Sequence, residues 1–488
     1  MIRGRRTFDL ESQNRFAELS GDYNPAHVDA VAARRTQAGA PIVHGIHSLL
    51  WLLEWLCRAG IPLPAAANLE VQFKRPIYVG NEVEAGITSR TPRALRARLR
   101  VGEVDAVVVS LVFEELPRSI RPADGIEGPD ATGTNDAAMV PPTTPNSLDL
   151  DAMEGLSGRL LPVLAQMQAD TLFPAASRYI GAQRAAALLQ MSCLVGMIVP
   201  GRHSLFAGLH LALVDDTAES AADPLRFSVR SVEPAFRIVV IDVHGGNLRG
   251  FLQTVSPAPP VAQAEMTRMR ASVSANEFRG STALVIGGSR GLGEVAAKLL
   301  AAGGSRVVIT YSIGKSDAEA VAAAIRNTGA ECAIAHYDVR LKASEQLRVI
   351  GLEQLTHIYY FATPAIFRSK TRALDLHRFA EFNLYYIAGF LDLVRTCQHE
   401  RAGNISVFYP STAAIDARSA DMTEYAMSKA AAEILCADLE THLPRVRVVA
   451  RRLPGLLTDQ TRFRASMPLS DPVQVLLPLL RETQAPAR

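Results

Sequence analysis

The sequence predicts a multidomain chain: two α+β blocks followed by an α/β block built on a doubly wound parallel sheet. Three observations carry this. At roughly 100–200 residues per domain, 488 residues make two to four domains. The apolar periodicity breaks at Pro117–Ser147, rich in Pro, Gly, Asp and Thr, and at Ser256-Pro257-Ala258-Pro259-Pro260. The last part alternates β-branched runs with Ala/Leu-rich runs, the pattern of strands joined by helices. The expected organisation is a block at 1–116, a linker at 117–147, a block at 148–255, a short linker at 256–263 and a block at 264–488.

Composition excludes several classes. Lys plus Arg number 51 against 49 Asp plus Glu, so no basic excess points to nucleic acid. The hydrophobic fraction of 48% supports sizeable cores. Leu49–Leu53 is cut by Glu54 and Arg58, far short of a membrane span. Met1–Arg6 is basic with no apolar stretch behind it, unlike a secretory signal. The 5 cysteines are scattered without metal-ligand spacing, which predicts a reduced, cytoplasmic, metal-free protein.

In the first block, Asp22 and His27 flank Tyr23-Asn24-Pro25-Ala26. A carboxylate and an imidazole five residues apart, across an Asn-Pro turn, can converge on one water or hydroxyl. Such a pair suits adding water to an activated alkene or removing it. Alone it reads more simply as a capped turn with a solvated histidine. Gly39–His47, which opens an apolar helix of about 46–59, changes that reading. Gly45 at the helix start permits a free backbone N–H to polarise a thioester carbonyl. Together these runs resemble the MaoC-like, R-specific enoyl-thioester hydratases of the hotdog fold, and Val71–Gly80 is similar to a strand-and-turn segment of that fold. The resemblance, over about 1–116, implies Asp22 and His27 as the catalytic pair, Asn24 supporting them at the substrate, Gly45 as oxyanion donor and His44 as a structural residue. Arg93, Arg96, Arg98 and Arg100 read first as a solvated strand edge; the sharper reading is a docking patch for an acidic carrier protein or a coenzyme A phosphate.

The middle block has an apolar helical run at 181–197, then Pro200–Gly208. It is similar to the central helix of a second hotdog unit, but lacks the Asp-x-Asn-Pro-x-His run. It is expected to be non-catalytic, completing the sheet and walling an acyl tunnel, with His203 structural.

The third block begins with strand-like Ala283–Ile286, then Gly287-Gly288-Ser289-Arg290-Gly291-Leu292-Gly293 and a helical run through Ala302. Glycines between strand and helix let the backbone approach a pyrophosphate. The second strand, Arg306–Thr310, leads into Tyr311-Ser312 with no acid for a ribose hydroxyl, while Arg290 and Lys315 offer positive charge for a 2′-phosphate; NADP(H) is favoured. Tyr425 and Lys429 lie four apart on one helical face, where an ammonium favours the phenolate and lowers the tyrosine pKa. Alone this pair reads as a half-buried tyrosine on a surface helix; the glycine loop reverses that reading.

The combination resembles the short-chain dehydrogenase/reductase family over most of 280–465, hence a Rossmann-type doubly wound sheet. It implies Tyr425 as general acid, Lys429 as its pKa-lowering and ribose-binding partner, and Asn383 in the proton relay. Asp338 and Val339 match the adenine-side position, and Pro454, Gly455 and Thr458 the turn covering the nicotinamide. For the substrate-orienting hydroxyl, counting back from Tyr425 gives Thr412, while side-chain identity favours Ser411. Two departures bear on cofactor support: Ile286 replaces the family's Thr, and Phe361-Ala362-Thr363-Pro364 replaces Asn-Asn-Ala-Gly.

The resulting expectation is an NADPH-dependent ketoreductase and dehydratase acting on one acyl thioester, carried on an acyl carrier protein or coenzyme A, in fatty-acid or polyketide-type biosynthesis. Two alternatives stand beside it: enoyl-CoA hydration followed by oxidation in the degradative direction, and a carrier-binding scaffold with a silent site. No nucleic acid or membrane partner is expected, and a homodimer stands open.

Overall fold

The computed structural model describes residues 3–61, 63–113, 138–163, 165–214, 224–351, 354–367, 374–400, 403–462 and 468–485. The chain forms two compact units, Met1–Pro259 and Pro260–Arg488. Among the described residues no helix is long and apolar enough to cross a membrane.

Period-two alternation builds the sheet of the first unit. Its strands are β1 (Gly4–Thr7), β2 (Asn68–Phe73), β3 (Glu82–Arg90), β4 (Ala94–Val101), β5 (Val104–Val112), β6 (Ala138–Met139), β7 (Ser157–Leu160), β8 (Leu205–Leu213), β9 (Leu225–Glu233), β10 (Ile238–Gly245) and β11 (Leu248–Val255). In β4, Leu95, Ala97 and Leu99 are buried while Arg96 faces out; in β10, Val239, Ile241 and Val243 do the same work. The order is β1-β3-β4-β5-β2-β8-β11-β10-β9-β7-β6, one sheet of eleven strands. The two blocks meet where β2 pairs antiparallel with β8, Asn68 opposite Ala212 through Gln72 opposite Gly208.

Each block lays one apolar helix on this sheet. In the first, Gly45–Arg58, Ile46, Leu49, Leu50, Leu52, Leu53 and Leu56 have no exposed surface. The second, Ala182–Cys193, runs on into a π-helical turn at Leu194–Ile198. Glu54 ties the first helix to the second block by accepting the Ala175 and Ala176 amides, each at 2.8 Å. These amides open the helix Pro174–Ile180, whose positive end suits a carboxylate. The linker expected at 117–147 is partly ordered: Ala138–Met139 pairs with β7, and Asn146 donates its backbone N–H to Met197 O. Its residues 117–137 lie outside the described ones.

The second unit holds β12 (Thr282–Ile286), β13 (Arg306–Tyr311), β14 (Cys332–His336), β15 (His357–Tyr360), β16 (Ile405–Thr412) and β17 (Val446–Leu453). They form one parallel sheet in the order β14-β13-β12-β15-β16-β17. The order reverses between β12 and β15, so the loops leaving these two strands flank the crevice where such sheets bind ligands. One face packs on Val295, Leu299 and Leu300 with Leu476 and Leu480; the other packs on Phe390, Leu393 and Val394 with Ala432 and Cys436. β16 runs on through Ser411 and Thr412, so both candidate hydroxyls lie on the strand itself.

Candidate active sites

In the first unit Asp22, His27 and His44 come together, all buried, with one oxygen or nitrogen of each within 4.8 Å of the others. The local sequence explains the approach. Gly21, at φ 77, ends the helix Leu10–Ser20 in the left-handed region, and Asn24 caps the short helix Pro25–Val28 by accepting the Ala26 amide. His27 Nδ1–H donates to Ile42 O at 2.8 Å, which leaves the Nε2 lone pair free to take a proton. His44 stacks on His27 with ring centroids 4.0 Å apart. Its Nδ1 lies 2.9 Å from Gln13 Oε1 and its Nε2 3.0 Å from Asp22 O.

Burial pushes the Asp22 carboxyl above its ordinary range, opposed by His27 and by hydrogen bonds from Ser192 and Asn24. Burial likewise holds His44 well below the usual imidazole range. A buried Asp/His/His set could also hold a divalent cation, an option the cysteine-centred reading of the sequence did not contain. Both ring nitrogens of His44, however, lie at 3.0 Å or less from protein oxygens.

Gly45 opens its helix with His44 at the cap position and no side-chain cap, as an oxyanion donor requires. A Cβ on Gly45 would meet Phe73 at 3.2 Å and Phe206 at 3.3 Å, one ring from each block. Asn24 supports the pair through its backbone N–H, which donates to Asp22 Oδ1 at 3.2 Å. Its Nδ2 donates to Gly196 O and Gly201 O, both at 3.1 Å, so its side chain also joins the two blocks.

The second block therefore does more than wall a tunnel: Ser192 Oγ donates to Asp22 Oδ2 at 2.8 Å, and Gln166 Nε2 to Ser20 O at 2.6 Å. Sequence reading passed over Ser192 and Gly196, which meet the Asp22 turn from a distant stretch of the chain. His203 stands outside the Asp/His/His group; burial, with Arg202 and Arg237, holds it below the usual imidazole range. Of the arginine run, Arg98 and Arg100 pair with Asp105 and Arg96 donates to Ser110 Oγ, so β4 is internally neutralised in part.

In the second unit the helix Thr423–His442 carries Tyr425 and Lys429. Tyr425 packs edge-on against Phe382 and Tyr386, with centroids 5.7 Å apart in each case, and shares a hydrogen bond with Thr412. Ser411 points the other way and donates to Glu433 Oε1 at 2.5 Å, because neighbouring residues of a strand face opposite sides. Geometry thus assigns Thr412, not Ser411, to the Tyr425 side. Thr412→Val therefore removes a hydrogen bond from Tyr425, while Ser411→Ala removes one from Glu433 and leaves Tyr425 untouched.

Lys429 Nζ donates to Pro410 O at 2.6 Å and lies over the rings of Tyr386 and Tyr409, 4.1 and 4.5 Å from their centroids. Burial pushes Tyr425 up to about 12 and Lys429 down to about 7. The expected lowering of the tyrosine by the lysine is not expressed here, since burial dominates both groups. Asn383 ends the helix Leu376–Asn383 and accepts the Ser428 hydroxyl at 2.8 Å, next to Lys429 in the chain.

The glycine loop leaves β12 at the switch point. A Cβ on Gly293 would lie 2.2 Å from Gly287 O, and Gly287 itself has φ 78, where a Cβ would meet the Ala362 amide nitrogen at 3.0 Å. Ser289 is buried in the loop, Leu292 is half-buried, and the helix Gly291–Ala302 opens at Arg290 without a side-chain cap. A backbone that admits no side chain, beside an uncapped helix N-terminus, fits a dinucleotide pyrophosphate. Around it, Arg290 pairs with Asp459 at 3.5 Å and Lys315 with Glu319 at 3.8 Å. Asp338 accepts Arg340 Nε at 2.9 Å, and this pairing holds its carboxyl below the usual range. Val339 is buried beside it. Gly455 O accepts the Ser470 amide at 2.8 Å, fixing the turn after Pro454, and Thr458 donates its backbone N–H to Thr461 at 3.0 Å.

These two sites define a chain that joins a hydratase-type hotdog region to a dinucleotide-binding reductase-type domain. The chain is a fusion of a MaoC like domain, matched over residues 3–110, with a short chain dehydrogenase domain, matched over residues 281–468. It is 33% identical over 88 residues to the 3-hydroxybutyryl-CoA dehydratase of Methylorubrum extorquens, covering 17% of this chain and 55% of that protein. It is 39% identical over 74 residues to the (R)-specific enoyl-CoA hydratase of Aeromonas caviae, covering 15% and 54%. The chain thus spans about half the length of the curated relatives it matches. A short chain dehydrogenase from Burkholderia cenocepacia, solved in complex with NADP, is 23% identical with a TM-score of 0.38, covering 43% of this chain and 92% of that one.

Proposed function

We propose that the chain is a bifunctional enzyme that reduces a 3-oxoacyl thioester with NADPH and dehydrates the resulting (3R)-hydroxyacyl thioester to the trans-2-enoyl thioester. The observation that carries this reading is the pairing, on one chain, of a buried Asp22/His27 site with a Thr412/Tyr425/Lys429 site. The names of the two MaoC-type relatives supply the thioester class.

A bound nicotinamide cofactor supplies the hydride. The glycine loop Gly287–Gly293 would hold its pyrophosphate, Asp338 and Val339 would border the adenine side, Ala362 would line the cofactor pocket, and Pro454, Gly455 and Thr458 would border the nicotinamide side. Tyr425 gives its phenolic proton to the substrate oxygen while Thr412 orients that oxygen, and Asn383 and Lys429 pass a proton back to the phenol. In the first unit His27 Nε2 removes the α-proton, the Gly45 amide stabilises charge on the thioester oxygen, and Asp22 delivers a proton to the departing hydroxyl. Water leaves, and the carbon–carbon double bond forms. Joining consecutive steps on one chain raises the effective concentration of the intermediate.

NADP is favoured over NAD because β13 leads into Tyr311-Ser312 without a carboxylate, and the segments after β12 and β13 carry Arg290 and Lys315. The test is NADPH consumption with a short 3-oxoacyl thioester on coenzyme A and on a carrier protein, with mass spectrometry of the products. Conversion to the enoyl thioester supports the reading. Oxidation of a 3-hydroxyacyl thioester with NAD and no NADPH turnover would instead favour the degradative direction.

A further inference from the structure

The carboxylate at the centre of the first site is held from the other block. Asp22 lies in the turn after the helix Leu10–Ser20, while Ser192 lies near the end of the second central helix and donates to Asp22 Oδ2 at 2.8 Å. Ser192 is 1% exposed. One turn on, Gly196 is so close that a Cβ there would lie 2.0 Å from Asp22 Oδ1. Gly196 sits in the π-helical turn Leu194–Ile198, closed by the Val199 amide on Leu194 O at 2.9 Å. Such an extra residue in a helix rotates the turn beyond it, and it is a frequent device at functional sites. Here it brings the Gly196 carbonyl onto Asn24 Nδ2, so the helix grips both sides of the Asp22 turn.

We propose that Ser192 is a positioning residue of the hydration/dehydration site, its hydroxyl fixing the orientation of the Asp22 carboxylate so that the second block completes the first block's chemistry. The inference rests on the reading of Asp22 as the group that exchanges a proton with water. The chemistry is a matter of charge. Asp22 has been taken out of water, which disfavours its ionised form. Its other neighbours are the Asn24 amide, the His27 and His44 imidazoles, the Cys193 thiol and the Ser20 hydroxyl, which accepts the Asp22 backbone N–H. Ser192 is the hydroxyl that donates to the carboxylate itself, and it can turn without moving the backbone. Hydration uses the ionised carboxylate as base, so its rate follows Asp22 ionisation on the acid side.

The experiment measures hydration of trans-2-butenoyl-CoA by the full chain, with Ser192→Ala, Ser192→Thr and Asp22→Asn variants. Alongside, the Asp22 carboxyl is titrated by carbon-13 NMR on aspartate-labelled protein, its signal identified as the one missing from Asp22→Asn. Ser192→Ala is expected to lower kcat roughly ten- to hundredfold with KM little changed, and to move the acid limb and the carboxyl midpoint up by about one pH unit. Ser192→Thr restores most of kcat and returns both midpoints. An acid limb and carboxyl midpoint unmoved in Ser192→Ala overturn the proposal. If the wild-type chain hydrates no enoyl thioester, the functional reading falls, and the carboxyl titration still decides whether Ser192 governs Asp22.

Discussion

Tyr425→Phe is expected to reduce keto reduction by about 10²–10⁴-fold, the usual weight of a positioned general acid. Enoyl hydration, run in the other unit, should be unchanged. Phenylalanine preserves what the ring does for the fold. Tyr425 is 9% exposed and packs edge-on against Phe382 and Tyr386, contacts that need the ring and not the hydroxyl. Only the proton donor and the hydrogen bond with Thr412 are removed. With a short 3-oxoacyl thioester and NADPH, the variant should therefore accumulate unreacted ketone while still hydrating an added enoyl thioester. A variant that still consumes NADPH at the wild-type rate would remove Tyr425 from the mechanism.

The same site carries a pH signature. Burial holds Lys429 near 7, so its ammonium is present below that value and is lost as pH rises through it. Tyr425, near 12, stays protonated throughout. If a charged Lys429 serves the relay, kcat/KM for reduction falls on the alkaline side of about 7. Lys429→Met should be slow and flat there. A wild-type profile level through neutrality and into mild alkali would show that the lysine charge is not used.

How much of this was legible in the sequence depends on how far the partners lie apart in the chain. The glycine loop, its strand and its helix are contiguous, and local pattern located all three within a residue or so. Asp22 and His27 are likewise neighbours, and the turn that Asn24 caps brings them together. The choice between Ser411 and Thr412 was legible in principle: once β16 is carried through Thr412, alternation sends the two side chains to opposite faces. Ser192, Gly196 and Gln166 were not legible, because each meets the Asp22 turn across more than a hundred residues of chain. The second-block partners of Asn24 were hidden for the same reason, since its side-chain amide donates to carbonyls more than a hundred residues away. The protonation of Lys429 also escaped, because it is set by burial beneath Tyr386 and Tyr409 and not by its spacing from Tyr425.

Asp22→Asn is expected to lower both hydration and dehydration by about 10²–10⁴-fold, because an amide neither accepts nor delivers the proton. The local structure should survive. Asn24 N–H donates to Asp22 Oδ1 and Ser192 Oγ to Oδ2. In the variant the amide oxygen can keep the Asn24 N–H, while the NH₂ group faces Ser192, whose hydroxyl can rotate to accept. Stability should move the opposite way to activity. Burial raises the Asp22 carboxyl above its ordinary value, so the folded chain binds this proton more tightly than the unfolded chain. The wild type is then penalised as pH rises above the unfolded value, and that penalty is absent in the neutral amide. Thermal unfolding of the first unit should accordingly come at higher temperature for Asp22→Asn near neutral pH, with the difference shrinking as the solution is acidified. A variant that is both inactive and less stable at neutral pH would mean that Asp22 is held for the fold, by Ser192 and Asn24, and not strained by burial for chemistry. Combining Asp22→Asn with His27→Gln sharpens the reading. Two groups that move the two protons of one elimination act as a unit, so the double variant should lose little beyond the worse single one.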